Sequence, residues 1–225
     1  MKETWKEEQL GRWRIHAGKP KEERTMALEI ERKYRFSDFA VLRIRLRDAR
    51  GEYQGRDFEE NTVWDTPSRE LKEKGVLLRL RSVGGNNVLC LKKPPKESIM
   101  EYNKVLEEVE TEVADPEGMG AIFRSLGYEV AFRYEKLRET WRMERVTVCL
   151  DHLPFGRFVE LEGDGESIPR AEAILGLQGC PSTTMNYHEL NKVSCRERGL
   201  EEQDSFLFSD AERQRLKERL ARSGE

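Results

Sequence analysis

The stretch LEIERKY, residues 28 to 34, alternates its side chains in a way that could do chemistry. Glu29, Glu31 and Lys33 occupy every second position, and apolar residues such as Ile30 have the other parity. Successive side chains of a β-strand point to opposite faces, so this spacing predicts two carboxylates and one ammonium group on the same face. Carboxylate oxygens bind divalent metal ions and ammonium groups bind phosphate, so the stretch could bind both a metal ion and a phosphate group.

Other charges repeat this spacing along the chain and are sorted by sign. They are Arg79 with Arg81, Lys92, Glu108 and Glu110 with Glu112, Lys136 with Arg138, and Glu160 with Glu162. If the strands close into a barrel, charged faces of opposite sign can line its interior as a polar tunnel. A triphosphate carries about four negative charges and needs several cationic donors, while its divalent counter-ion needs carboxylate oxygens. We therefore predict that Lys and Arg bind a triphosphate and that Glu binds Mg²⁺ or Mn²⁺.

The elements that must position these charges follow from periodicity, caps and turns. A tight turn is expected at the GGNN of residues 84–87, and helices are expected at 38–49, at 115–128 and in segments after 169. Strands are predicted at 28–34, 53–65, 76–83, 87–92, 103–113, 129–140, 141–151 and 156–163. This set fits an α+β fold that is mainly β, a closed eight-stranded antiparallel barrel with flanking helices.

The chain divides into three segments by composition. Residues 1–26 form a polar arm with few apolar anchors, and residues 27–195 form the predicted barrel domain. Residues 196–225 form a tail that contains an amphipathic helix. At 225 residues, the chain is long enough for one barrel-sized core.

The overall composition limits the classes of function. Lys+Arg 40 against Asp+Glu 43 leave a net charge of -3, which argues against a nucleic-acid partner. No apolar run is long enough to span a membrane and no apolar signal region opens the chain, so we expect neither a membrane partner nor export. The four cysteines form no CxxC pair, which favours a reducing cytoplasm over a zinc site or disulfide framework. The sequence leaves a homodimer open.

Common catalytic motifs are absent from the sequence. It contains neither a Walker-type phosphate loop nor a GxSxG nucleophile motif, and its three histidines are scattered. Any phosphate chemistry must therefore come from the charged strands.

Four segments carry a resemblance to a known family. They are ExExK at 29–33, WDTPSRELKEKGVLLRLR at 64–81, LCLKKP at 89–94 and LDHLPFGRFVELEG at 150–163. In type and order they resemble the CYTH domain, named for class IV adenylyl cyclases and thiamine triphosphatases and also called the triphosphate tunnel metalloenzyme family. The resemblance covers residues 27 to 193.

The resemblance implies a triphosphate tunnel with an assigned set of residues. The implied triphosphate-binding residues are Lys33, Arg79, Arg81, Lys92, Lys136 and Arg138. The implied metal ligands are Glu29, Glu31, Asp151, Glu160 and Glu162, with Glu108 and Glu110 as further tunnel carboxylates. Among these, Glu29, Glu31, Lys33 and Lys92 are expected to be catalytic.

The resemblance leaves the reaction open, because similar tunnels support different chemistries. They hydrolyse inorganic triphosphate or thiamine triphosphate, or they cyclise ATP to cyclic AMP and pyrophosphate. We favour hydrolysis because it requires no pocket for a base or ribose, and the sequence gives no sign of one. A non-catalytic polyphosphate-binding module is a third alternative, although anion binding alone would not need the metal carboxylates.

Overall fold

The computed structural model describes residues 30–94 and 107–223, which form one antiparallel sheet with flanking helices. Its strands are β1 (Ile30–Arg35), β2 (Glu52–Asp65), β3 (Leu77–Val83), β4 (Asn86–Lys93), β5 (Glu107–Glu112), β6 (Glu129–Met143), β7 (Val146–Leu153), β8 (Gly156–Gly163) and β9 (Ser182–Thr183). Across the sheet they follow the order β5, β4, β3, β2, β6, β7, β8, β1, β9.

Helices lie between and after the strands. They are α1 (Phe39–Asp48), α2 (Glu70–Glu73), α3 (Pro116–Ser125), α4 (Ser167–Leu175), α5 (Tyr187–Glu197) and α6 (Asp210–Ser223). Side-chain caps fix where α1, α3 and α5 begin: Asp38 accepts from the backbone N–H of Ala40 and Val41, Asp115 accepts from that of Gly118, and Asn186 accepts from that of Glu189. α2 and β9 were not predicted from the sequence, because at four and two residues they are too short to show a period.

Short turns set the register of the strands that carry the charges. Gly84 and Gly85 have φ values of 55° and 83°, and the residues on either side of them, Val83 of β3 and Asn86 of β4, are paired. The turn is therefore shorter than predicted, and Asn86 already belongs to β4. Glu144, with a φ of 51°, lies in the turn that joins β6 to β7. As a result β6 runs to Met143, beyond the break predicted at 140.

The predicted fold class is confirmed, since the chain is mainly β and antiparallel with helices at its flanks. Hydrogen bonds do not close the sheet, because the described ladders run from β5 to β9 and none joins these two outer strands. In the described part of the chain, β9 pairs only with Lys33 and Tyr34 of β1. The eight predicted strands thus correspond to β1–β8, and β9 is added at the edge.

The main apolar core lies on the outer face of the sheet. Trp141 of β6, Val148 of β7 and Leu161 of β8 pack there against α1, which contributes Leu42 and Leu46. These strand residues have the parity opposite to that of the charged residues, as the alternation of a half-buried strand requires. The apolar core therefore lies between the sheet and its helices, and the inner face is left to polar residues.

Two further helices cover the outer face of β2. Near its end, Trp64 packs with Phe123 of α3, and nearer its start Phe58 packs with Phe208 and Leu216 of the C-terminal segment. That segment is therefore in contact with the sheet, and the boundary at 195/196 falls inside α5. No helix in the described part of the chain has the length and apolarity needed to cross a membrane.

Candidate active site

The inner face of the sheet, opposite the apolar core, carries the charged residues that the sequence singled out. Its polar members include Glu31, Lys33, Asp57, Glu59, Asn61, Arg79, Arg81, Lys92, Glu108, Glu110, Glu112, Lys136, Arg138, Asp151, Glu160 and Glu162. Lys33, Arg79, Lys136 and Glu160 are at most 8% exposed, which is rare for charged side chains without partners. The predicted ligand Glu29 lies outside the described residues.

Arg138 is the centre of the ion pairs on β6, β7 and β8. Its guanidinium donates to both carboxylate oxygens of Asp151, at 2.7 and 2.5 Å, and also to Glu160. Its Nη1 lies 3.8 Å from Glu162. Burial by itself would lower the pKa of Arg138, but Asp151 and Glu160 raise it well above its ordinary value. Arg138 therefore stays charged and neutralises several buried carboxylates.

Lys33 and Glu160 form a second buried pair where β1 meets β8. They are directly opposite in the register, and Lys33 Nζ lies 3.1 Å from Glu160 Oε1. Lys33 also contacts Glu31 on its own strand. Burial by itself would raise the pKa of Glu160, but Arg138 and Lys33 together lower it below its ordinary value. The carboxylate therefore stays ionised although it is buried.

β2 adds two residues that the sequence analysis missed, Glu59 and Asn61. Glu59 Oε2 lies 3.5 Å from Lys136 Nζ, and its Oε1 lies 3.9 Å from Arg138 Nε. Burial by itself would raise the pKa of Glu59, but Lys136 and Arg138 lower it. Polar residues occur at both parities of β2, as at Glu59 and Glu60, so alternation alone does not single out one face.

The charges of β3, β4 and β5 are paired more loosely. Arg81 Nη2 lies 3.2 Å from Glu110 Oε1, whereas Arg79 Nη2 is 3.9 Å from the same atom. Lys92 Nζ lies 2.9 Å from Glu108 Oε2. Within the described residues, the buried Nε atoms of Arg79 and Arg81 have no hydrogen-bond partner. These guanidiniums therefore keep donors that an anion could use.

Tyr187 reaches the inner face from α5. Its hydroxyl donates to Asp151 Oδ2 at 2.7 Å, and the Nζ atoms of Lys33 and Lys136 lie 5.5 and 5.8 Å from the centre of its ring. Burial, reinforced by the charge of Asp151, raises the pKa of Tyr187 well above its ordinary value, so the hydroxyl remains a donor. The sequence gives no signal for this contact, because 36 positions separate Tyr187 from Asp151.

Toward α5 the inner face changes from charged to aromatic. Phe158 precedes Glu160 on β8, and Tyr134 precedes Lys136 on β6. Phe158 and Tyr134 belong to one apolar cluster with Phe206 of the C-terminal segment. The charged part of the face therefore has an apolar boundary at this end.

The carboxylates of β1 and β8 suit a hard divalent cation. Glu31 and Glu162 are directly opposite in the register, where like charges destabilise a strand pair and a cation would offset the repulsion. Glu160, Glu162 and Cys149 offer ligand atoms within 4.8 Å of one another. Burial raises the pKa of the Cys149 thiol, so the charged ligands of this group are carboxylates. The donor set therefore fits Mg²⁺ or Mn²⁺ better than a metal that prefers thiolate.

A second group with similar spacing comprises Cys90, Glu108 and Glu110. The Cys90 thiol donates to Glu108 at 3.0 Å, and burial together with that hydrogen bond raises the pKa of Cys90 to about 12. Lys92 also pairs with Glu108, so this group is already partly neutralised by a cation. Glu160 of the first group is paired with cations in the same way, so the feature that sets the first group apart is Glu31 opposite Glu162.

Asp151 differs from the other residues that the resemblance assigns to metal. It is fully buried, Arg138 donates to both of its oxygens, and Tyr187 donates to one of them. Its carboxylate therefore holds Arg138 in place in this structure, and its role as a metal ligand stays a prediction.

Most of the chain is similar to known proteins. Residues 27–175 match the CYTH domain family. The chain is 27% identical over 149 residues to a protein of Methanocaldococcus jannaschii named as a candidate adenylate cyclase, and this match covers 66% of the chain and 83% of that protein.

Solved structures share the fold. The PH1819 protein of Pyrococcus horikoshii OT3 superposes with a TM-score of 0.56 at 24% identity, covering 72% of this chain and 97% of that one. A candidate adenylyl cyclase from Hippeastrum, described as having a dominant triphosphatase activity, superposes with a TM-score of 0.53 at 21% identity, covering 77% and 97%. Because the family match extends over more than half of the chain, and the charged strands lie within it, this protein belongs to the CYTH domain family.

Proposed function

We propose that this chain is a metal-dependent triphosphatase that binds a triphosphate on the inner face and cleaves off its terminal phosphoryl group. The observation that carries the proposal is the convergence of cations from four strands on one face, beside the opposed carboxylates of Glu31 and Glu162. The cations are Lys33, Arg79, Arg81, Lys92, Lys136 and Arg138. The candidate substrates are inorganic triphosphate, thiamine triphosphate and a nucleoside triphosphate.

The cations have different roles in this proposal because their surroundings differ. Arg79 and Arg81 bind phosphate oxygens through donors that no described residue uses. Lys33 and Lys136 bring buried positive charge to the part of the face nearest Glu160 and Asp151. Arg138 is already held by Asp151 and Glu160, so it contributes a fixed positive charge. A preorganised set of this kind stabilises the charge that develops in phosphoryl transfer.

Glu31, Glu160 and Glu162 are the described residues that would hold a divalent metal ion, and Glu29 is the predicted addition to this set. When bound, the ion would polarise the phosphoryl group and lower the pKa of a water molecule. The ammonium group of Lys33, between Glu31 and Glu160, would bind a phosphate oxygen next to these carboxylates. Tyr187 would keep Asp151 oriented toward Arg138.

A class IV adenylyl cyclase is the second candidate function, favoured by the name of the Methanocaldococcus jannaschii relative. The same inner face would hold the triphosphate of ATP. The two reactions differ in the nucleophile, which is water at the terminal phosphorus in hydrolysis and the ribose 3′ hydroxyl at the α phosphorus in cyclisation. The triphosphatase described for the Hippeastrum protein favours hydrolysis.

The purified chain should be incubated with inorganic triphosphate, thiamine triphosphate or ATP and either Mg²⁺ or Mn²⁺. Phosphate, pyrophosphate and cyclic AMP are measured separately. We expect phosphate release that stops when the metal is chelated. We also expect loss of activity in Glu162→Gln and wild-type rates in the control Glu201→Gln, whose side chain is exposed. Cyclic AMP with pyrophosphate would instead establish the cyclase, and binding without turnover would establish a non-catalytic module.

The sequence predicts a cytoplasmic location and leaves a homodimer open. Light scattering after size-exclusion chromatography would test for the homodimer.

A further inference from the structure

Asn61 contributes two polar atoms to the inner face that no described residue satisfies. It lies in β2, is 2% exposed, and neither its Nδ2 nor its Oδ1 has a hydrogen-bond partner among the described residues. Buried amides are normally paired, because burying one without a partner costs free energy. The two unpaired atoms of Asn61 therefore point to a group outside the described residues.

The neighbours of Asn61 show what kind of group this is. In the register, Asn61 is directly opposite Arg81 on one side and Tyr134 on the other. Directly opposite residues in a sheet share a face and lie within contact distance. Tyr134 in turn accepts a hydrogen bond of 3.0 Å from Arg79. Arg79 and Arg81 each have a buried Nε without a partner in the described residues, so unpaired donors from three residues meet on β2 and β3.

We propose that Asn61 is a substrate-binding residue whose side-chain amide donates directly to the phosphate chain, beside Arg79 and Arg81. This inference rests on the proposed function, because it assigns one more contact to the same site. A neutral donor fits this position, since it adds a hydrogen bond to an anion without adding to the mutual repulsion of the two guanidiniums. An aspartate of the same shape would replace that donor by a negative charge.

If the role of Asn61 were purely structural, replacing it would lower the stability of the protein without ligand. Asparagine in a strand interior is unfavourable, and it stabilises a fold only through the hydrogen bonds that it makes. Because Asn61 makes none with the described residues, an apolar residue of similar volume should stabilise the protein without ligand and weaken the binding of ligand. A gain in stability without ligand, together with a loss of affinity for ligand, therefore distinguishes a substrate contact from a packing role.

The test compares three variants of the full chain. They are Asn61→Leu, Asn61→Asp and the control Thr62→Val, which lies on the same strand with its side chain on the opposite face. The dissociation constant for inorganic triphosphate is measured by calorimetry, and the melting temperature is measured without triphosphate.

We expect Asn61→Leu to weaken binding by about tenfold or more while raising the melting temperature without triphosphate. Asn61→Asp should weaken binding further, and Thr62→Val should bind as wild type does. If Asn61→Leu does not fold, the dissociation constant of Asn61→Asp for triphosphate tests the inference instead. Wild-type affinity in the Asn61 variants would overturn the inference while leaving the proposed function intact. Failure of the wild-type chain to bind triphosphate would overturn both.

Discussion

The two halves of the inner face satisfy their charges differently. On β6, β7, β8 and β1, Arg138 pairs with Asp151 and Glu160, whose side chains are 0% and 5% exposed. On β3, β4 and β5, the side chains of Lys92 and Glu108 are 30% and 37% exposed, and Arg79 and Arg81 keep unpaired donors in the described structure. We call these the paired half and the open half. The paired half neutralises its own charge, whereas the open half keeps donors for a ligand.

This difference has a physical origin in desolvation. A charge that is buried without a partner is strongly destabilising, so the paired half must supply its own counter-charges to fold. In the open half Lys92 and Glu108 are partly exposed, so water screens them and they tolerate loose pairing, whereas Arg79 is buried and donates to Tyr134. The contrast shows that similar residue types can act as a scaffold in one place and as a binding surface in another.

The largest effect expected is on stability, from the loss of Arg138. Arg138→Met leaves Asp151 and Glu160 buried without their main counter-charge, so the free energy of unfolding should fall by about 3–5 kcal/mol. The matched change Lys92→Met, in the open half, should cost about 1 kcal/mol or less because that pair is partly exposed. Urea denaturation of both variants measures the two values. Equal losses would remove the distinction between the halves.

The second effect expected is that triphosphate binding stabilises the strands of the open half more than those of the paired half. At 100 times its dissociation constant, inorganic triphosphate should stabilise the protein by about 2.7 kcal/mol, more than inorganic phosphate at the same concentration. Because the open half supplies the unpaired donors, amide hydrogen exchange should slow more in β3 than in β7. Arg79→Ala should remove most of the stabilisation. Equal protection of the two strands would contradict the assignment of the open half to binding.

The smallest effect expected is a pH dependence in the paired half. The native pKa of Glu160 is below its unfolded value, so its ionised form contributes stability above about pH 4.3 and loses it as the pH falls toward the native pKa. In Glu160→Gln, the fall in stability below that pH should be shallower by at most about 1.4 kcal/mol per pH unit. Denaturation series between pH 3 and pH 6 measure this slope. A variant that keeps the wild-type slope would show that Glu160 is not held ionised by its neighbours.

For the strands with strict alternation, the sequence predicted both the bounds and the face that carries the charges. The bounds of β3 and β8 were predicted to within one residue, because an apolar residue separates Arg79 from Arg81 and another separates Glu160 from Glu162. β2 was also located, but its inner face was not, since polar residues occupy both parities. Asn61 was therefore overlooked although it is almost fully buried.

The sequence by itself determined which residue types share a strand face, because the two-residue period of a β-strand is a local property of the chain. It also determined the family, through the order of its charged segments. Only the tertiary structure decided which charges meet: that Arg138 pairs with Asp151, that Tyr187 joins them, and that Arg79 and Arg81 keep unpaired donors. Pairing of this kind depends on strand order, register and burial, which are set by contacts between residues far apart in the chain.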